Sequence, residues 1–435
     1  MECGKRKRRR RRNRHRPSIA DLELEERKDI DQNHIGDLPM KETKGLNDKA
    51  IVGGDSDEGR DPSSAYLVAC HWDWSSSSKP YSVYKMVDLA PSDASSPSSS
   101  GQKRLKLLRR LETKPDGKMF TSVRSRHRAW IVGVGGTQGD TVIFDTKKNK
   151  VIHGPNLNSA KWRPVLMAVG DKVYAMSRSP SWVLEPDFPP WFEVLDLSQA
   201  KVVTAAGRSY LEGCSWIDLL NPPCIPWALT PTDYTMLPTV ILVSYVVVAN
   251  YILVSFNKQW GTYALDTRAN EPEWHKVDDR RLPFFGCATQ HGSIFLGLSQ
   301  KDGPISAYRI HIAPSDKGNA LRLSIAVLPV KYMEHEVHAG PCFSSLDNKC
   351  FCSLSLSLDS HSFTLNPDSR ELFPRKVHVN LTTYQIEDPS LVVNPEEALL
   401  DVKPDIAVSS QSEQALKIAS SKHGFSPFAF AFLSI

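Results

Sequence analysis

The sequence predicts an all-β protein, a β-propeller of about five to seven blades behind a disordered N-terminal tail. Three observations predict it. From about Ala129 to Asn366 the chain consists of β-type runs of four to seven residues separated by Gly, Asp, Asn and Pro. Helical periodicity is scarce over the same stretch. A small strand-end signature, an apolar pair or near-pair followed by a short polar residue, recurs along the chain. At 435 residues, 40% hydrophobic and 24% charged, the chain lies in the globular range, and a repeat architecture uses such a length in one domain.

Residues 1–60 hold a basic run, an acidic stretch around Asp21 to Asp31 and a Gly- and Asp-rich segment, with little to bury. They read as a disordered tail. The propeller is expected over residues 61–375, opening with a strand pair around Tyr66 to His71 and Tyr81 to Leu89. Ser/Pro-rich loops interrupt it at Ser75 to Ser78 and at residues 90–101. Trp130–Val134, Thr141–Phe144, Val165–Val169, Lys172–Met176 and Phe192–Leu195 then follow at hairpin spacing, with Gly170-Asp171 as a two-residue turn.

The segment Thr239 to Phe256 is 18 residues long, the lower limit for a membrane span, and nearly continuous in apolar residues. Asn250 and two serines interrupt it, and its Val, Ile and Tyr content favours strands. The reading is two strands, Ile241 to Val248 and Tyr251 to Phe256, turning at Ala249-Asn250, where Asn tolerates a positive φ. No membrane partner is expected. Residues 376–435 lose the rhythm and read as an irregular extension, with short helices at Glu396–Leu400 and Glu413–Ser420. Phe425 to Ile435 is apolar, either a strand that seals a ring or an exposed tail.

The signature occurs at Met86-Val87-Asp88, Ile143-Phe144-Asp145, Val194-Leu195-Asp196, Ala264-Leu265-Asp266, Arg309-Ile310-His311 and Thr364-Leu365-Asn366. Successive sites lie 57, 51, 70, 45 and 55 residues apart. A period near 50 fits one four-stranded blade, and the Pro-rich Asn221–Pro238 accounts for the long interval. A lone four-stranded sheet cannot hide both faces, whereas blades set radially bury each against the next. The polar residue caps the following turn by accepting backbone N–H groups.

Ile131-Val132-Gly133-Val134-Gly135-Gly136, then Val142-Ile143-Phe144-Asp145, then Trp162 resembles a kelch motif. The stretches DTVIFDTKKNKVIHGPNLNSAKWRPVLMAVGDKVYAMSRSP, WFEVLDLS, QWGTYALDT and RRLPFFG are similar to a large group of uncharacterised plant kelch-like proteins expanded in the cereals. The likeness covers roughly residues 60 to 370 and implies a kelch-like propeller of unknown function. Only one blade carries the double glycine. No Leu-Pro-rich helical F-box precedes the propeller region, so a ligase adaptor role has no support in the sequence.

The formal charge of +5 divides unevenly. Residues 1–16 hold ten basic residues against one acidic, which leaves 44 bases against 48 acids in the body, a balance of −4. That is unlike a dedicated nucleic-acid binder. The run Lys5, Arg6, Lys7, Arg8, Arg9, Arg10, Arg11 and Arg12 reads as a nuclear-targeting segment that fits the acidic groove of an import receptor. The expected location is the nucleus, with the cytoplasm as a further compartment. Lys103 to Arg110 reads as a solvated strand or helix face.

No secretory pattern follows the basic run, so the eight cysteines read as thiols in a reducing compartment. His335, His338, Cys342, Cys350 and Cys352 invite a zinc site, but the paired-knuckle spacing is missing. Cys350 and Cys352 read instead as core thiols on one face, with Phe351 on the other. Gly133-x-Gly135-Gly136-x-x-Gly139 reads as a β-turn, because no helix follows it to hold a phosphate. No Gly-x-Ser-x-Gly, His-Glu-x-x-His or Walker pattern occurs, so no catalytic, cofactor or metal residue is assigned.

Long Pro-rich loops carry function more often than short turns. Trp182, Phe188 and Trp191 in the Ser177–Trp191 loop, and Trp227 in Asn221–Pro238, are therefore the candidate partner contacts. The sequence reads as a noncatalytic protein-interaction module. The second reading is a nucleic-acid-associated protein that grips phosphates through its Arg-rich tail.

Overall fold

The computed structural model describes residues 64–435 apart from 72–79, 87–104, 114–116, 126–127, 180–188, 226–239, 258–260, 301–304, 315–320, 332–341, 348, 359–362, 366–371, 375–376, 388–404 and 419–424. Residues 1–60, including the basic run, lie outside the described residues. No helix occurs among the described residues, so none is long and apolar enough to cross a membrane.

The strands follow in antiparallel meanders. The first holds β1 (Ala65–His71), β2 (Tyr81–Met86) and β3 (Leu105–Leu111). The second holds β4 (Lys118–Arg124), β5 (Ala129–Gly135), β6 (Asp140–Asp145) and β7 (Lys150–His153). In the third, β8 (Val165–Val169), β9 (Lys172–Met176) and β10 (Phe192–Asp196) are separated from β13 (Trp216–Asp218) by the hairpin β11 (Lys201–Ala205) and β12 (Arg208–Glu212). That hairpin leaves its own blade, and β12 pairs in parallel with β7.

The fourth meander is β14 (Leu242–Val248), β15 (Tyr251–Phe256), β16 (Thr262–Asp266) and β17 (Trp274–Asp278). The fifth is β18 (Phe284–His291), β19 (Ile294–Ser299), β20 (Ile305–Pro314) and β21 (Leu321–Lys331). The sixth holds β22 (Cys342–Ser345), β23 (Cys350–Leu358), β26 (Val377–Ile386) and β27 (Ile406–Ile418), interrupted by the hairpin β24 (Phe363–Leu365) and β25 (Leu372–Pro374). The last strand, β28 (Phe425–Ser434), crosses back to pair with β1 through Tyr66↔Leu433, Leu67↔Phe432 and Val68↔Ala431. It completes the first sheet as a fourth strand.

Among the described residues these strands form six four-stranded units, and their cores show how the units are arranged. Six apolar clusters occur, one between each successive pair of sheets. Trp130 and Ile143 pack on Val173 and Leu195, Tyr174 and Phe192 on Ile252 and Leu265, and Leu253 and Ala264 on Phe295 and Tyr308. Leu296 and Ala307 pack on Phe351 and Tyr384, Cys352 and Leu381 on Leu67 and Tyr84, and Tyr81 and Val83 on Phe120 and Phe144. The sixth interface returns to the start, so the sheets are the blades of a closed six-bladed β-propeller. Alternation along each strand sends neighbouring side chains to opposite interfaces: Ile143 faces the third blade and Phe144 the first.

The recurring signature marks the third strand of a blade. Asp145 Oδ1 accepts from the N–H groups of Lys147 and Lys148 at 3.1 and 2.9 Å, and Asp196 and Asp266 accept from Ser198 and Arg268 at 2.8 and 2.9 Å. His311 lies within β20. Thr364-Leu365 belongs instead to the inserted hairpin of the sixth blade, which displaces the register expected there.

The structure corrects other expectations. Residues 376–435 supply three strands rather than an irregular extension, and the stretch from Glu413 that was expected to be helical is strand in β27, paired residue by residue with β26. Glu396–Leu400 lies outside the described residues. The long interval in the third blade includes the β11–β12 hairpin as well as the Pro-rich segment. At the β14–β15 turn the positive φ falls on Ala249 (53°) rather than on Asn250, whose carbonyl accepts from Thr267.

Candidate functional site

The innermost strand of each blade, which in the first blade is β28, lines the axis of the ring. β4 touches β8, β8 touches β14, and the contacts continue through β18, β22 and β28 back to β4. Two neighbours also pair in parallel, through Ser244↔Gly286 and Tyr245↔Cys287. Strand β14 shows how the sequence builds the lining: in LVSYVVV buried and half-buried residues alternate strictly. Leu242, Val246 and Val248 fill blade cores, while Tyr245 and Val247 face the axis.

The resulting channel has a volume of about 540 Å³. Met119 and Thr121 line it from β4, Ala168 from β8, Cys287 and Thr289 from β18, and Leu433 from β28. Among the described residues no Asp, Glu, His, Lys or Arg lines it. The channel therefore offers apolar contact, hydroxyl groups and one exposed thiol, Cys287. Among the described residues no acidic and basic side chains converge there.

Charged groups near the channel serve the walls. Lys118, at the start of β4, is closed to solvent and reaches Asp140 Oδ1 at 2.5 Å and the Gly135 carbonyl at 3.2 Å. His291, at the end of β18, is fully buried, with Nδ1 2.9 Å from Ser345 Oγ and the ring edge-on to Phe351. Burial pushes its pKa down to about 4, against a smaller upward pull from Asp347. Its Nε2 has no hydrogen-bond partner among the described residues. Nothing in the sequence marks this lone histidine.

Of the candidate partner contacts, Trp182, Phe188 and Trp227 lie outside the described residues. Trp191 does not face a partner: it is fully buried, packed with Met176 and Ile252 in the core between the third and fourth blades. The proline pair before it reads as loop, yet the Trp191 carbonyl accepts from Ser177 N at 2.8 Å and closes the loop base. Arg178 O accepts from Leu242 N at 2.9 Å, which ties that base to the start of β14 and the rim of the channel.

Cys350 and Cys352 are buried, and burial raises both thiols, Cys350 to about 11. Phe351 points the other way, stacked on Tyr384. His335 and His338 lie outside the described residues, and no three metal-ligating side chains converge among the described ones. The glycine cluster after β5 is a tight turn, with Gly139 N donating to Gly136 O at 3.0 Å. Lys103–Arg110 falls largely on β3, an outer strand with Leu107 exposed.

Strand order and interfaces define a six-bladed propeller whose axial lining, among the described residues, carries no charged side chain. The family described as "Protein of unknown function (DUF1668)" matches residues 63–420, and the chain belongs to it. A comparison with curated proteins gives no match. Solved structures similar to the chain include a 6-phosphogluconolactonase candidate from Bacteroides uniformis, with 10% identity, 81% of this chain and 100% of that chain covered, and a TM-score of 0.36. AztD from Citrobacter koseri gives 12%, 86%, 98% and 0.31, and the WD40 domain of SCAP from fission yeast 11%, 78%, 72% and 0.27. The fold assignment rests on the strand order and the six interfaces, not on these likenesses.

Proposed function

We propose that the protein is a noncatalytic, kelch-like protein-interaction module that works in the nucleus. The observation that carries this reading is the channel lined from all sides by apolar, hydroxyl, thiol and amide groups, with no charged side chain among the described residues. Such a surface suits an apolar segment of a partner protein and lacks the acid–base pair that hydrolysis or group transfer needs. Ser177 N and Trp191 O close the base of one long connection, and Arg178 O binds Leu242 N at the start of the channel-lining β14; long connections of this kind add specificity. Kelch-like character is supported by Gly135-Gly136 after the second strand of its blade, and nuclear residence by the run Lys5 to Arg12.

The test is nuclease-treated affinity purification with quantitative mass spectrometry. It compares the intact chain with Val247→Glu in the channel and with a variant in which Arg8 to Arg12 are serine. Partners lost with Val247→Glu and kept with the serine tail support the reading. Partners lost only with the tail or with nuclease would favour an import receptor or nucleic acid held by the Arg-rich run.

A further inference from the structure

A second cavity lies away from the channel, at the seam where the closing blade meets the second one. It measures about 370 Å³, and four cations line it: Lys85, Arg124, Arg128 and Lys147. Ordinary local structure puts each in place. Lys85 stands opposite Tyr66 in the β1–β2 ladder. Arg124 and Arg128 flank the β4–β5 turn, which Ser125 and Arg128 close with reciprocal backbone bonds of 2.9 and 3.2 Å. Lys147 sits in the β6–β7 turn, whose N–H groups Asp145 caps. Ser64 and Ile435 complete the wall and bind each other through both backbone groups.

Among the described residues no Asp or Glu side chain lines this cleft; the one carboxylate in its wall is the α-carboxylate of Ile435, whose oxygen already accepts from Ser64 N at 2.9 Å, so the four cations outnumber it. Arg128 is held by Asp171 Oδ1 at 3.4 Å, the Ala200 carbonyl at 3.0 Å and the Trp130 ring 5.0 Å away. It is preorganised yet only partly neutralised. No carboxylate of the described residues pairs with Lys85, Arg124 or Lys147. The body carries 44 bases against 48 acids, so four cations around one concavity are a local concentration and not a general excess. Like charges held together repel, and a bound anion relieves that repulsion through charge-assisted hydrogen bonds. The volume lies within the range of small-molecule sites, roughly 300 to 1,000 Å³.

We propose that this seam cleft binds a small polyphosphate anion, its phosphoryl groups shared among Lys85, Arg124, Arg128 and Lys147. The shared chemistry is several phosphoryl groups within one small molecule, whether carried on a ring or in a linear chain. Because the cleft joins the closing blade to the second blade, the anion would also brace the ring at its seam.

Calorimetric titration of the full chain with myo-inositol hexakisphosphate and with tripolyphosphate tests the proposal. One site per chain is expected for at least one probe, and the preferred probe tells the ring source from the linear one. Arg124→Ser/Lys147→Ser should weaken it at least tenfold, and Lys85→Ser alone, on another strand, should weaken it as well. The variant with Arg8 to Arg12 as serine should keep the site within about twofold, as should Lys276→Ser on the fourth blade. Thermal unfolding without ligand checks that each variant folds. Absence of one-to-one binding with both probes, or binding lost with the tail and indifferent to Arg124, Lys147 and Lys85, would overturn the proposal.

Discussion

Lys161 Nζ meets Glu193 Oε1 in an ion pair whose side chains are both fully closed to solvent. Glu193 lies on β10, and Lys161 lies in the connection between the second and third blades, where its carbonyl accepts from Gly136 N at 2.8 Å. The second carboxylate oxygen accepts from Asn158 N at 2.8 Å, and Lys161 Nζ also donates to the Ser159 carbonyl. The pair thus fastens the loop between two blades. Removing one partner strands the other charge in a dry site, at a cost of about 3 to 5 kcal/mol. Lys161→Met and Glu193→Leu should each lose about that much in urea unfolding, and the Lys161→Met/Glu193→Leu double variant clearly less than the sum. Additive losses would show that the two groups do not depend on each other.

Gly135 has a φ of 118°, and a Cβ there would lie 2.7 Å from Pro164 Cδ and 2.9 Å from two backbone oxygens. Neither oxygen can move without opening the second blade. Gly135→Ala should destabilise by about 2 kcal/mol or more, from strain at a positive φ and from overpacking. An unchanged thermal midpoint would contradict this packing.

His291 links stability to acid. Its folded-state pKa, about 4, lies below the unfolded value near 6.5. The unfolded chain therefore takes up a proton first, and stability is lost as pH falls from about 6.5 toward 4, by up to about 3 kcal/mol. His291→Gln should flatten that part of the stability profile, read from urea midpoints at a series of pH values. An identical slope in the variant would refute the assignment.

Cys287 is exposed in the channel, whereas Cys224 and Cys352 are buried and burial pushes the Cys224 thiol up to about 12. A small maleimide should label Cys287 in the native protein and reach Cys224 and Cys352 only on unfolding. Peptide mapping decides this, and protection of Cys287 in the native state would mean that the axis is closed.

The early blades were legible because their physics is local. Ile131, Ile143 and Val173 sit in short apolar runs bounded by turn residues, and Asp145, Asp196 and Asp266 announce the turns they cap. The sixth blade was not legible. In β27 the segment SEQALKI uses residues with strong helix propensity, and ladder pairing with β26 overrides it. The inserted β24–β25 hairpin carries the signature away from the blade proper. Trp191 follows two prolines and looks like loop, yet it fills a core. The channel lining was hidden for another reason: Thr121, Tyr245 and Cys287 come from three blades, and only ring closure brings them together.

Ring closure by the last strand is the central claim, since the channel and the seam cleft both depend on it. Val68 on β1 and Ala431 on β28 are direct partners in the ladder, and opposed residues of such a pair lie about 4.5 to 5.5 Å apart at Cα, within disulfide reach. The deciding measurement is mild oxidation of the Val68→Cys/Ala431→Cys variant followed by peptide mapping. An intramolecular link between positions 68 and 431, formed without loss of the folded state, is the predicted result. No link between those positions, or a link formed only between two copies, would contradict the closed six-bladed ring.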